Sequence, residues 1–140
     1  MFEKILVTID ESPIAAKAAG AAIDLARKYQ AELWAISVVP IPEYGGSVGE
    51  VKEVKTEGET RLGARLKEVK ARGQALGIVV KTELTYGHPA EAILKYINKK
   101  GFDLVVMGYK GSSAIDRFLL GSVSSKVVHH SPCSVILIKD

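Results

Sequence analysis

Apolar residues along this chain follow two rhythms. Short runs in which nearly every position is apolar or β-branched alternate with longer stretches in which apolar residues recur every three or four positions. The first rhythm suits strands buried on both faces, and the second suits amphipathic helices. KILVTI (Lys4–Ile9), ELWAISVV (Glu32–Val39), IVVKTELTY (Ile78–Tyr86), FDLVVM (Phe102–Met107) and SVILIK (Ser134–Lys139) predict strands. After the first of them, D-E-S-P sets Ser12 as a helix cap and Pro13 at the first helical position. Ile14, Ala18, Ala21, Ala22, Leu25, Ala26 and Tyr29 then recur at helical spacing, and the alanines predict close packing on a sheet.

Pro40 and Pro42 end the second strand, and a glycine-bearing loop follows. From about Glu50 to Leu76 the stripe Val51, Val54, Leu62, Leu66, Val69, Leu76 predicts a helix interrupted in composition by Gly58, Gly63 and Gly73. Glu57–Arg61 and Glu68–Arg72 have the four-residue spacing of surface ion pairs. His88-Pro89 opens a third helix that closes on Lys99, Lys100 and Gly101. A fourth spans roughly Ser122 to His130. The order βαβαβαβαβ, with right-handed crossovers, predicts an α/β fold: a doubly wound, Rossmann-like, five-stranded parallel sheet with helices on both faces. One domain, 1–140, uses the whole chain. Ligands of such sheets bind beyond the carboxyl ends of the strands, where the strand order reverses. With the first strand central and the fourth beside it, the ends at Asp10, Val38 and Gly108 come together.

Composition narrows the setting. The chain is 47% hydrophobic and 25% charged, the balance of a globular protein. No apolar run approaches a membrane span, and the opening MFEKILVTID reads as a strand rather than a signal peptide. The single cysteine, Cys133, excludes an intrachain disulfide and a cysteine-cluster zinc site, and fits a reducing, cytoplasmic location. The net charge of +3 is dispersed, whereas nucleic-acid binding needs a clustered basic face.

The segment GYKGSSAIDRFLLGSVSSKVV, starting at Gly108, is too long and polar for a simple turn. Gly108 and Gly111 flank Tyr109 and Lys110 just past a strand, where glycine permits positive φ and close approach of an anion to backbone N–H groups. Nine residues later Gly121-Ser122 starts a helix, whose N-terminal amides and dipole favour negative charge. The alternative is a glycine-rich loop with a serine cap and no ligand. No G-K-[ST] follows, so this is not a Walker loop, and DESPIAA after the first strand is not a dinucleotide fingerprint.

The pattern Gly108, two residues, Gly111, nine residues, Gly121, Ser122 resembles the signature of the universal stress protein family. ILVTIDES is similar to that family's first strand with its aspartate, and SPCSVILIK to its last strand, so the resemblance covers the chain end to end. It implies an ATP site. Asp10 would accept from the ribose hydroxyls. The backbone of Thr8 and Ile9, with the Val38 side chain, would frame the adenine, and Met107 would pack on base or ribose. Gly108, Gly111, Gly121, Ser122, Val123 and Ser124 would approach the phosphates, with Lys110 adding charge and Mg²⁺ or Mn²⁺ held through those phosphates. Relatives that bind ATP often carry proline at the position of Thr8 and a smaller residue at that of Ile9, a departure at the adenine end. The resemblance also implies a homodimer through the last strand, where an uncharged edge at Val135, Ile136, Leu137 and Ile138 needs cover.

Other candidates read as structural. His129-His130 point in different directions on a helix and suit its C-terminus better than a metal. Cys133 reads as a small hydrophobe, Trp34 as core, Asp103 as surface, and Asp116-Arg117 as an ion pair, with contact to phosphates or a partner chain as the alternative. The expected function is an ATP-binding stress-response switch acting on an unknown protein partner. The alternatives are a slow ATPase or nucleotidyl transferase, and a nucleotide-free dimeric interaction module. Asp10 is taken by ribose and no second acid is placed at a γ-phosphate. E-S-P-I after the first strand is also not the H-I-G-H-like stretch expected of adenylyl transfer.

Overall fold

A computed structural model describes residues 1–41, 47–110 and 120–140. Gly111, Asp116 and Arg117 lie outside the described residues. The strands are β1 (Lys4–Thr8), β2 (Glu32–Pro40), β3 (Val80–Gly87), β4 (Leu104–Gly108) and β5 (Ser134–Ile138). The helices are α1 (Ile14–Tyr29), α2 (Val48–Ala75), α3 (Pro89–Lys100) and α4 (Ser122–His130). The strands form one sheet in the order β3-β2-β1-β4-β5, and every neighbouring pair is parallel. The order reverses between β1 and β4, as the alternating pattern requires.

Side-chain alternation decides which face each strand residue serves. Ile5 and Val7 of β1, Leu33 and Ala35 of β2, and Leu104 and Val106 of β4 pack under α1 and α2. Leu6, Ile36, Val105 and Met107 pack on the other face with Ile93, Tyr96 and Ile97 of α3 and Val127 of α4. Each fully buried Ile or Leu contributes about 1.5–3 kcal/mol. Both faces are covered, and that is why the strands read as unbroken apolar runs. Among the described residues no helix is long and apolar enough to cross a membrane.

Several local expectations change. α2 runs unbroken from Val48 to Ala75 despite its glycines. Two of these are where the helix presses on the sheet: a Cβ at Gly58 would lie 2.6 Å from Val39 Cγ1, and one at Gly73 2.5 Å from Val80 Cγ2. The buried stripe is therefore Gly58, Leu62, Leu66, Val69, Gly73, while Val54 and Leu76 are exposed. β3 begins at Val80 rather than Ile78. Ser12 does not cap α1, whose N-cap is Pro13 with no side-chain cap bond; its hydroxyl serves Asp10 instead. Glu57–Arg61 forms weakly at 3.9 Å, with Glu11 the nearer partner of Arg61 at 2.6 Å. Arg72 donates to the Ala16 carbonyl at 2.8 Å rather than pairing with Glu68. Asp103 has a specific task, accepting from the Glu3 and Lys4 amides at 2.8 and 3.1 Å to fix the start of β1. Trp34 packs edge-on against Tyr96 and Phe102, with ring centroids 6.2 Å away in each case.

Candidate functional site

At the carboxyl ends of β1, β2 and β4 lies a cavity of about 240 Å³. Its apolar walls come from Ile36, Val38 and Pro40 of β2, Met107 of β4, Leu62 of α2, and Pro89 and Ile93 of α3. Thr8, Ile9, Asp10 and Glu11 line it from the β1–α1 connection, and Gly108, Lys110, Val123 and Ser124 from the β4–α4 side. A mostly apolar cavity with a few polar groups in its lining suits an aromatic ligand with a polar extension.

The β1 end is rigidly built. Ile9 continues the ladder past the strand, donating its amide to the Ile36 carbonyl at 2.8 Å and accepting the Ser37 hydroxyl at 2.6 Å. Its side chain is buried under α1, so Ile9 meets the cavity with a backbone whose amide is already committed. The next residue, Asp10, is exposed. Its Oδ1 accepts both the Ser12 amide, at 2.9 Å, and the Ser12 hydroxyl. Oδ2 has no partner among the described residues. The carboxylate is thus oriented by a local turn and keeps one oxygen for a donor.

At the β4 end, the Gly111 half of the expected phosphate nest lies outside the described residues. Gly108 is not among the positive-φ glycines of the described residues, which are Gly77, Gly87 and Gly101. Glycine is required there by packing, since a Cβ would stand 2.5 Å from Ile14 Cγ2 of α1. Ser124 is buried and gives its hydroxyl to the Gly108 carbonyl at 2.7 Å, which locks the first turn of α4 onto the strand end. Gly121 spends its amide on the Tyr109 carbonyl at 2.9 Å, and its φ of −61° is open to any residue. Gly121 and the exposed Ser122 do not line the cavity, whereas Val123 and Ser124 do. The anion-favouring elements that remain are the first-turn N–H groups of α4, which have no intrahelical acceptor, and Lys110.

Of the residues named from the sequence, Thr8, Ile9, Asp10, Val38, Met107, Gly108, Lys110, Val123 and Ser124 meet at the cavity. Those not anticipated are Glu11, Ala15, Ile36, Pro40, Leu62, Pro89 and Ile93. The strand-end position of Pro40 and the N-terminal position of Pro89 were the available signals. Leu62 and Ile93 enter only through helix packing. Asp10 and Glu11 are the acids of the lining, and Glu11 is engaged by Arg61 at 2.6 Å. His129 Nδ1 lies 2.7 Å from the Ser125 carbonyl of its own helix. Among the described residues no group of three or more His, Cys, Asp and Glu is placed to hold a metal.

Comparison with known proteins gives the following. The model of the Universal stress protein family matches residues 1–139. A universal stress protein of Methanocaldococcus jannaschii is 34% identical over 145 residues, covering 99% of this chain and 83% of the relative. The structure of universal stress protein UspA from Lactobacillus plantarum superposes with a TM-score of 0.92 at 30% identity, covering 98% of this chain and 97% of the other. A universal stress protein crystallised in complex with cAMP gives a TM-score of 0.76 at 25% identity, covering 98% and 97%.

Proposed function

The chain belongs to the universal stress protein family, and from that premise we propose that it binds ATP in the cavity at the strand switch and acts as a nucleotide-dependent switch in a stress response. The observation that carries this reading is that one free carboxylate oxygen, Asp10 Oδ2, and the first turn of α4 border one largely apolar cavity. The related structure crystallised with cAMP supports an adenine nucleotide as the ligand class.

In this reading Ile36, Val38, Pro40 and Met107 exclude water around the base. Asp10 Oδ2 accepts from a ribose hydroxyl, a charge-assisted bond. Lys110 and the first-turn amides of α4 offset phosphate charge. Gly111 and Ser122 are proposed to join them at the phosphates. Gly121 shapes the entry to α4 without donating its amide, which Tyr109 holds. Magnesium or manganese, when bound, supplies charge neutralisation at the phosphates and is held by them and by water. A partner would read the difference between the nucleotide-bound and nucleotide-free protein. Of the two acids of the lining, Asp10 is given to the ribose in this reading and Glu11 is paired with Arg61, so neither is assigned to a γ-phosphate. β5 lies at a sheet edge with Val135, Ile136, Leu137 and Ile138 half-buried, and we propose that a second copy pairs there.

Native mass spectrometry tests both parts. Dimers carrying up to one ATP per chain, either as purified or after ATP is added, are expected. Protein that stays free of nucleotide at millimolar ATP would overturn the reading. A monomeric protein that still binds ATP would remove the dimer alone.

A further inference from the structure

Three arginines, Arg61, Arg65 and Arg72, lie along one edge of α2. At about 100° per residue they fall within roughly 40° of one another. All three reach across to the β1–α1 connection and the start of α1. Arg72 donates to Ala16 O at 2.8 Å, Arg61 Nε pairs with Glu11 at 2.6 Å, and Arg65 Nη1 donates to both Asp10 O and Ser12 O, each at 3.1 Å. Arg65 therefore brackets the turn whose side chains are Asp10, Glu11 and Ser12. One nitrogen with two hydrogens satisfies the two carbonyls that flank the Asp10–Ser12 hydrogen bonds. Because peptide groups are planar, fixing these carbonyls fixes the backbone on which the Asp10 carboxylate and its Ser12 donors stand.

The side-chain chemistry is specific. Oδ1 of Asp10 is filled by Ser12, so recognition of a ribose depends on where Oδ2 points. That direction is set by the turn, and the turn is set from α2. Glu11 also lines the cavity, where a free carboxylate would repel a nucleotide, and Arg61 holds its charge.

We infer that Arg65 is a positioning residue for ribose recognition: from α2 it holds the Asp10–Ser12 turn so that Asp10 Oδ2 is presented to the ligand. This rests on the nucleotide reading above. It also makes α2 the element through which that site is tied to the rest of the α1–α2 face.

The test is the ratio of dissociation constants for 2′,3′-dideoxy-ATP and ATP, measured by isothermal titration. The wild-type chain is expected to prefer ATP by roughly tenfold or more, the value of a charge-assisted hydrogen bond. Asp10→Ala should bring the ratio near one. Arg65→Met should bring it below about threefold, with little further effect once Asp10 is alanine. A residue that merely stabilises the fold would weaken both ligands alike and leave the ratio unchanged. Arg65→Lys is the second variant, used if the methionine variant does not fold; it should also lower the ratio, because a lysine cannot bracket both carbonyls in fixed geometry. An unchanged ratio in either folded variant overturns the inference while leaving ATP binding intact. Absence of ATP binding by the wild-type chain overturns the nucleotide reading, and the inference with it.

Discussion

Gly108→Ala tests how the end of β4 is built. An added methyl would stand 2.5 Å from Ile14 Cγ2, and 3.4 Å from both Ile14 Cγ1 and the Lys110 carbonyl. Carbon atoms rest at about 3.5–4.0 Å, so Ile14 would have to retreat by about 1 Å. It cannot do so cheaply, being β-branched, stiff at χ1 and buried in the first turn of α1. Overpacking of this kind costs roughly 1–3 kcal/mol. Gly108 has no positive φ, so alanine also restricts the unfolded chain and returns about 0.4–1 kcal/mol. The net loss is roughly 0–2.6 kcal/mol, or up to about 9 °C in Tm for a chain of this size. Ile14→Leu removes the Cγ2 branch at nearly constant volume, at a cost under about 1.5 kcal/mol. In that background Gly108→Ala should be neutral or stabilising. Thermal and urea unfolding of the four proteins forms a double-mutant cycle, with an expected coupling of about 1 kcal/mol or more. Equal losses in both backgrounds would refute the packing explanation of this glycine.

Two further predictions follow from the same kind of contact. Gly58→Ala and Gly63→Ala should have opposite signs although both lie inside α2. A Cβ at 58 meets Val39 at 2.6 Å, whereas nothing lies within 4 Å of one at 63. Urea midpoints should fall for the first and rise for the second by about 0.5–1 kcal/mol equivalent. The Tyr96 hydroxyl is buried with no hydrogen-bond partner among the described residues, and burial, with the Glu83 charge adding, pushes it up to about 12. Its unfolded value is 10.0, so between these two pH values the unfolded chain loses this proton first and stability falls as pH rises. Tyr96→Phe should flatten that decline in chemical unfolding and leave neutral-pH stability equal or higher. A steeper decline in the variant would contradict the assignment.

What could be read from the sequence was what depends on local spacing. The alternation of β-branched runs with three-four spacing gave the element order, and Gly121-Ser122 against His130 marked both ends of α4. His88-Pro89 and Gly101 bounded α3, with Gly101 at φ 73° as a left-handed cap requires. What could not be read was the choice of tertiary partner. Gly108 looked like an anion-binding glycine because its neighbours in sequence suggest one, yet the atom that forbids a side chain belongs to Ile14, on another element. Ser12 had the right spacing for a cap, but the Asp10 carboxylate two residues away competes for its hydroxyl and wins. Arg61 and Arg72 invited pairing within their helix; Glu11 and the Ala16 carbonyl, fifty or more residues away in sequence, offered better acceptors.

The central claim places an adenine nucleotide at the reversal of strand order. Backbone amide NMR of the isotopically labelled chain, titrated with ATP, tests it most directly. Saturable shifts are expected at residues 8–11, 38–39, 107–110 and 122–124, with the midpoint raised about tenfold in Asp10→Ala. Shifts confined to the β3–α3 groove around Thr85 and Lys95, or none at millimolar ATP, would contradict it.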